Sequence, residues 1–198
     1  MSQLGALDAA VLSAGHWFRI PSIYHDGGRV VGCHDCAAEF NHTETSFFAV
    51  FRDAIHRTLT EVTRRHGEHG AKDRKKMVVA LTTLSPSHFE GDWDKGAQCP
   101  KKRPYKNGEK ELGYTETEMR KIVVEAVAEA APNAGTLQFA ALDVTTLANL
   151  RPDGHPGPYM HKHPFATGSG RVQNDCLHWC MPGPVDTFNQ ILLQTILR

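Results

Sequence analysis

An α/β fold built on a parallel sheet is the architecture this sequence predicts, and three observations predict it. Short apolar runs alternate with amphipathic stretches along the chain, the order that strand–helix–strand crossovers require. The run Met77-Val78-Val79-Ala80-Leu81 places apolar side chains on both faces, as a strand covered on both sides demands. Two long stretches without periodicity, residues 85–113 and 145–173, each follow an apolar run. Loops beyond the carboxyl ends of strands are where such sheets place their chemistry.

Each element has its own cause. Residues 7–12 form a short Ala- and Val-rich run that ends at Ser13-Ala14-Gly15 and reads as a buried strand. Val30-Val31-Gly32 reads as a second, short strand. From Thr43 onward, Phe47, Phe48, Phe51, Ile55, Leu59 and Val62 recur at helical spacing, with Arg64 and Arg65 suited to the negative end of the helix dipole. Residues 77–81 form the next strand. Thr115 and Glu118 have the spacing of a capping box and open a helix through Ile122, Val123, Ala126, Val127 and Ala130, which Pro132 and Gly135 close. Residues 137–144 are another apolar strand. After Pro182-Gly183-Pro184, a last helix over 186–198 turns Phe188, Ile191, Leu192 and Ile196 inward.

Composition narrows the function classes. A length of 198 residues suits one domain, and neither an internal repeat nor a domain boundary is visible. Lys plus Arg and Asp plus Glu both number 22, so the chain lacks the basic surface that nucleic acids and anionic membranes reward. No apolar run reaches the roughly 18–20 residues that span a bilayer, and residues 1–12 lack the pattern of a signal peptide. Taken alone, these features describe a soluble, cytosolic chain. The five cysteines, Cys33, Cys36, Cys99, Cys176 and Cys180, complicate that picture, because an odd count leaves one thiol without an internal partner.

Several segments carry a resemblance. Asp175-Cys176-Leu177-His178-Trp179-Cys180-Met181-Pro182-Gly183, continuing into Asp186-Thr187-Phe188-Asn189, resembles the D-C-x-H-W-C-L-P-G and D-T-W-N blocks of the trichome birefringence-like proteins. Ser85-Pro86-Ser87-His88-Phe89, with Trp93 and Cys99 beyond it, is similar to their S-P-x-H-F block. Gly15-His16-Trp17-Phe18, Gly32-Cys33-His34-Asp35-Cys36 and Arg151-Pro152-Asp153-Gly154-His155-Pro156 fit as well. The resemblance covers essentially the whole chain. Two positions depart from it: Thr82 or Thr83 stands where an Arg is common, and Ala97 stands where a Gly is expected.

The resemblance implies a three-layer α/β/α SGNH-hydrolase-like sheet, incomplete at its N-terminus, with residues 1–198 forming the C-terminal part of a PC-esterase domain. It implies acetyl transfer to hydroxyls of plant cell-wall polysaccharides such as xylan, in the Golgi lumen, through a Ser-His-Asp triad. The acetyl donor would be acetyl-CoA or an acetylated intermediate, with no bound cofactor. The family's serine belongs to a Gly-Asp-Ser motif ahead of the Gly-His-Trp block. No Gly-Asp-Ser occurs in this chain, so the nucleophile, the N-terminal domain and the membrane anchor are expected to be absent, and the chain alone inactive. A non-catalytic relative that binds glycan or a full-length partner is the alternative reading. A polysaccharide acetylesterase is another.

Candidate roles follow from residue chemistry and the resemblance together. Asp175 and His178, three apart, fit a pair in which the carboxylate fixes one imidazole nitrogen and leaves the other to serve a serine. By pattern alone Asp-x-x-His is common; the resemblance makes these the triad's acid and base. Gly15 and His16 follow a strand and are oxyanion-hole candidates, with a plain strand-end turn as the other reading. His88 and Trp93 are candidates for the sugar groove, Trp93 equally for a buried structural role. Cys33-His34-Asp35-Cys36 with His42, His155, His161 and His163 raises zinc. The second half of a zinc motif is missing, however, so a disulfide or free thiols are favoured and no metal is expected. Through the resemblance to an enzyme of an oxidising lumen, Cys99 is expected to pair with Cys176 and leave Cys180 over.

Overall fold

The structure, a computed structural model, describes residues 7–68, 76–92, 95–160, 162–166 and 173–197. In chain order these form β1 (Ala9–Ser13), β2 (Ser22–Asp26), β3 (Arg29–His34), α1 (Phe47–Glu68), β4 (Met77–Thr82), α2 (Tyr114–Ala130), β5 (Leu137–Leu142), α3 (Thr145–Asn149) and α4 (Pro184–Ile196). The fold is α/β, with a parallel sheet of order β1-β4-β5 flanked by helices.

β4 sits in the middle because its sequence tolerates cover on every side. It pairs with β1 through Ala10↔Val79 and Leu12↔Leu81, and with β5 through Val79↔Phe139 and Leu81↔Ala141. Met77, Val79 and Leu81 share one face and join a core with Phe51, Ile55 and Leu59 of α1 and Met119, Ile122, Val123 and Ala126 of α2. Val78 and Ala80 on the opposite face are buried too, which explains the continuous apolar run. Each large side chain buried here contributes about 1.5–3 kcal/mol. Arg52 of α1 and Glu125 of α2, 3.1 Å apart, join the two helices outside this core.

Three local expectations are revised. β1 is an edge strand with Val11 substantially exposed rather than a buried one. β3 is one arm of an antiparallel hairpin whose other arm, β2, the hydrophobic pattern does not show. The turn is legible in Asp26-Gly27-Gly28, since Gly27 and Gly28 have φ of 55° and 78°, the conformation that favours glycine in tight hairpins. α3 interrupts the second long loop. The helix ends also differ. α2 opens at Tyr114, so Thr115 lies inside its first turn. α4 opens at Pro184, where Asp186 accepts a hydrogen bond from the Gly183 N–H at 2.7 Å, and Ile196 is partly exposed rather than inward.

The chain gathers into two units. One contains the residues up to Leu84 together with Thr117–Asp143, and holds the sheet, the hairpin, α1 and most of α2. The other contains Ser85–Glu116 and the residues from Val144 onward.

Candidate active site

Asp175 and His178 lie in the second unit, in a segment whose backbone is tied down almost residue by residue. Asp175 exchanges both of its backbone hydrogen bonds with Gly157, at 2.8 and 2.9 Å. The Cys176 carbonyl accepts from the His88 N–H at 2.9 Å, and Cys176 is disulfide-bonded to Cys99 across a Cα separation of 5.6 Å. The Cys180 N–H donates to the Gly154 carbonyl at 2.9 Å. Cys180 itself is a free thiol.

Within this frame the short spacing acts locally. Asp175 Oδ1 accepts from the backbone N–H groups of Leu177 and His178 at 3.0 and 2.9 Å, while Oδ2 accepts from His178 Nδ1 at 2.8 Å. One carboxylate thus builds the turn and orients the ring. Burial pushes the Asp175 carboxyl up, but the donors from His178 and Leu177 outweigh it and hold the group below its ordinary value. The two side chains contrast sharply: Asp175 is 10% exposed and His178 is 75% exposed. With Nδ1 donating to the carboxylate, Nε2 of the neutral ring is the basic nitrogen, and the ring is open to solvent. An imidazole fixed in one tautomer with its other nitrogen free has the form that general-base chemistry requires.

Behind His178, His155 Nδ1 lies 2.7 Å from the His178 carbonyl oxygen and His155 Nε2 lies 2.7 Å from His88 Nδ1; His88 Nε2 lies 3.0 Å from the Asn149 carbonyl oxygen. The rings of His155 and Trp179 pack at 4.1 Å between centroids. Trp179 in turn meets Phe188 of α4 edge-on.

A family model described as PC-Esterase, the GDSL/SGNH-like acyl-esterase family found in Pmr5 and Cas1p, matches residues 1–195. The chain belongs to the PC-Esterase family. Over its whole length it is 50% identical to a protein named Xyloglucan O-acetyltransferase 1 from Populus trichocarpa and 45% identical to one of that name from Arabidopsis thaliana. Over 96% of its length it is 36% identical to Protein trichome birefringence-like 25 of Arabidopsis thaliana. The chain spans about half the length of these curated relatives, 46%, 44% and 42% in turn.

In this PC-Esterase chain the other expected site residues take distinct places. Gly15, with φ of 144°, and His16 belong to the first unit and open a short 3-10 helix, His16–Arg19, beyond the carboxyl end of β1. A side chain at Gly15 would press on Leu84 and Met119. His88 commits both ring nitrogens inside the protein, which leaves it none for a sugar hydroxyl. Trp93 and His161 lie outside the described residues. Cys33 and Cys36 are disulfide-bonded, so their sulfurs are not thiolate ligands; among the described residues His34, Asp35 and Glu44 are close enough to share a cation. His155 is engaged by His88 and the His178 carbonyl rather than by that cysteine pair.

Two aromatic residues escaped the sequence reading. Tyr159 and Phe165, both about two-thirds exposed, meet edge-on with centroids 6.1 Å apart. Phe165 also lines a depression with Gln98, Cys99, Lys102, Pro158 and Asn174, beside the disulfide and one residue before Asp175. Both stand in a Pro- and His-rich loop without periodicity, so the sequence pattern does not set them apart.

Proposed function

We propose that this chain carries the acid and base of an O-acetyltransferase that modifies hydroxyls of a plant cell-wall polysaccharide, xyloglucan rather than xylan. The observation that carries the reading is the Asp175–His178 pair, with its carboxylate largely covered and its ring exposed. The relatives named as xyloglucan O-acetyltransferases support the substrate, and the exposed Tyr159–Phe165 pair offers apolar faces of the kind pyranose rings stack on.

The serine that the pair serves is that of the family's Gly-Asp-Ser motif, which these 198 residues do not contain. His178 Nε2 takes the proton of the serine hydroxyl as its oxygen attacks the acetyl carbonyl. Cleavage of the bond to the donor, acetyl-CoA or an acetylated intermediate, leaves an acetyl-serine, and the proton goes to the departing group. His178 then takes the proton of the acceptor hydroxyl, the sugar oxygen attacks the acetyl-serine, and the proton returns to the serine. Asp175 stabilises the imidazolium formed in each half. The Cys33–Cys36 and Cys99–Cys176 disulfides favour an oxidising lumen such as the Golgi.

The test is acetyl transfer to a xyloglucan oligosaccharide by a protein that carries the serine motif ahead of this chain. His178→Ala should lower turnover by roughly six orders of magnitude with folding intact. Undiminished transfer in that variant refutes the assignment, and release of free acetate without transfer identifies an esterase. The 198 residues alone should release nothing from a chromogenic acetyl ester above buffer. Release abolished by His178→Ala would show that another residue supplies the nucleophile.

A further inference from the structure

His88 and His155 present a proton-counting problem. The chain of contacts runs from the Asn149 carbonyl through His88 and His155 to the His178 carbonyl and contains three hydrogen bonds. Carbonyl oxygens only accept, so His88 Nε2 and His155 Nδ1 must both donate. The remaining contact, nitrogen to nitrogen at 2.7 Å, then needs a proton of its own. Two neutral imidazoles hold two protons between them. Three bonds need three.

We infer that His88 and His155 act as one titrating unit that positions His178: with one shared extra proton the pair ties the His178 carbonyl to that of Asn149, and when neutral it must leave one of its three bonds unmade. The surroundings bear on the balance from several elements. Burial disfavours charge on both rings, lowering His88 and bringing His155 down to about 4. The carbonyls of Asn149 and His178 favour the charge. So do Asp153, which faces both rings, Glu116 toward His88 and Asp175 toward His155, whereas Lys110 disfavours charge on His88. Asp153 is partly neutralised by Arg151 at 2.9 Å, and the Tyr105 ring lies 6.5 Å from that of His88. The extra proton is therefore taken up below neutrality.

Losing the third bond has a local consequence. If the neutral pair keeps the nitrogen–nitrogen bond with His155 donating, His155 Nδ1 carries no proton and the His178 carbonyl loses its donor; with His88 donating, His88 Nε2 is bare and the Asn149 carbonyl loses its donor instead. If it keeps both carbonyl bonds, two bare nitrogens face each other at hydrogen-bonding distance and the rings must part. The first and last of these arrangements reach the backbone of the residue proposed as base directly, and in the second the His155 ring that holds the His178 carbonyl still loses its share of the charge. The inference rests on the proposed function only for that role; the proton count does not depend on it.

The experiment is histidine-selective ¹⁵N NMR on the protein between about pH 3 and 8. The expected result is a single common midpoint for the His88 and His155 rings, below that of a free histidine. The backbone signals of His178 should shift at this same midpoint. His155→Gln keeps a donor but cannot titrate; it should abolish the shared step at His178. His88→Gln should have the same effect if the first variant folds poorly. Two independent midpoints, or no proton uptake by either ring across the range, overturn the inference. Acetyl transfer need not be measured, so loss of the Asp175–His178 assignment would leave this titration standing.

Discussion

The two units of the chain are held together by different physics. In the first, Phe51, Leu59, Met77, Val79, Leu81, Met119 and Ile122 are almost wholly buried and apolar, so what matters is volume and surface removed from water. In the second, the segment from Asp175 to Cys180 is held by a disulfide, a turn-building carboxylate, a histidine pair and paired backbone groups. Burial is non-directional and tolerates many arrangements of similar residues. Hydrogen bonds and disulfides demand particular atoms at particular distances. A scaffold can be built the first way; a reactive ring must be aimed the second way.

The largest effect is expected where volume is lost. Phe51→Ala removes a fully buried ring from the α1–β4–α2 core and should destabilise the protein by about 3–5 kcal/mol, read as a shift in the denaturation midpoint. A shift below about 1 kcal/mol would mean that the core collapses around the gap. Next comes the clamp of the second unit. Cys99→Ser with Cys176→Ser should cost roughly 2–4 kcal/mol. It should also speed amide hydrogen exchange at Gly157 and Asp175 while the amides of β4 stay protected. Equal acceleration in both places would erase the distinction drawn between the units.

A smaller effect is tied to acid. Because its carboxyl sits below its ordinary value, Asp175 contributes stability that is complete above the unfolded value near 3.9 and lost as the pH falls through the folded one. Asp175→Asn should flatten the stability profile in that acid window and leave its shape near neutrality unchanged. An unaltered acid limb would argue that the hydrogen bonds to Oδ1 and Oδ2 are not coupled to folding. The smallest effect belongs to the surface of α1. Glu61 is hydrogen-bonded to Arg64 and Arg65, which lowers its pKa to about 2, yet exposed pairs of this kind add little. Glu61→Gln should leave the melting temperature unchanged within error.

The same contrast explains what could be read from residues alone. β4, β5 and α1 are legible because burial imposes a period on the sequence. β2 is not, because its half-buried positions are Ser22 and Tyr24 while the apolar Ile23 between them is exposed; only its Gly27-Gly28 turn betrays the hairpin. α3 is five residues long, too short for a period to register. Asp175 and His178 could be found because their interaction is local, at a spacing of three. His88 and His155 are 67 residues apart, and no spacing rule could join them. Read singly, His88 resembles a sugar contact and His155 a possible zinc ligand, because nothing in the sequence signals that they meet.

The turn at Asp175 has a consequence for protein engineering. Four consecutive residues contain the acid, the base and the backbone donors that set the distance between them. The internal geometry of the pair is therefore portable, and what a host must supply is direction. The disulfide to Cys99 and the backbone pairing with Gly157 supply it here. A cysteine-clamped loop on an unrelated scaffold, given the same four residues and one edge to pair with, should inherit an imidazole already locked in the basic tautomer, ready to be matched with a nucleophile of the designer's choosing.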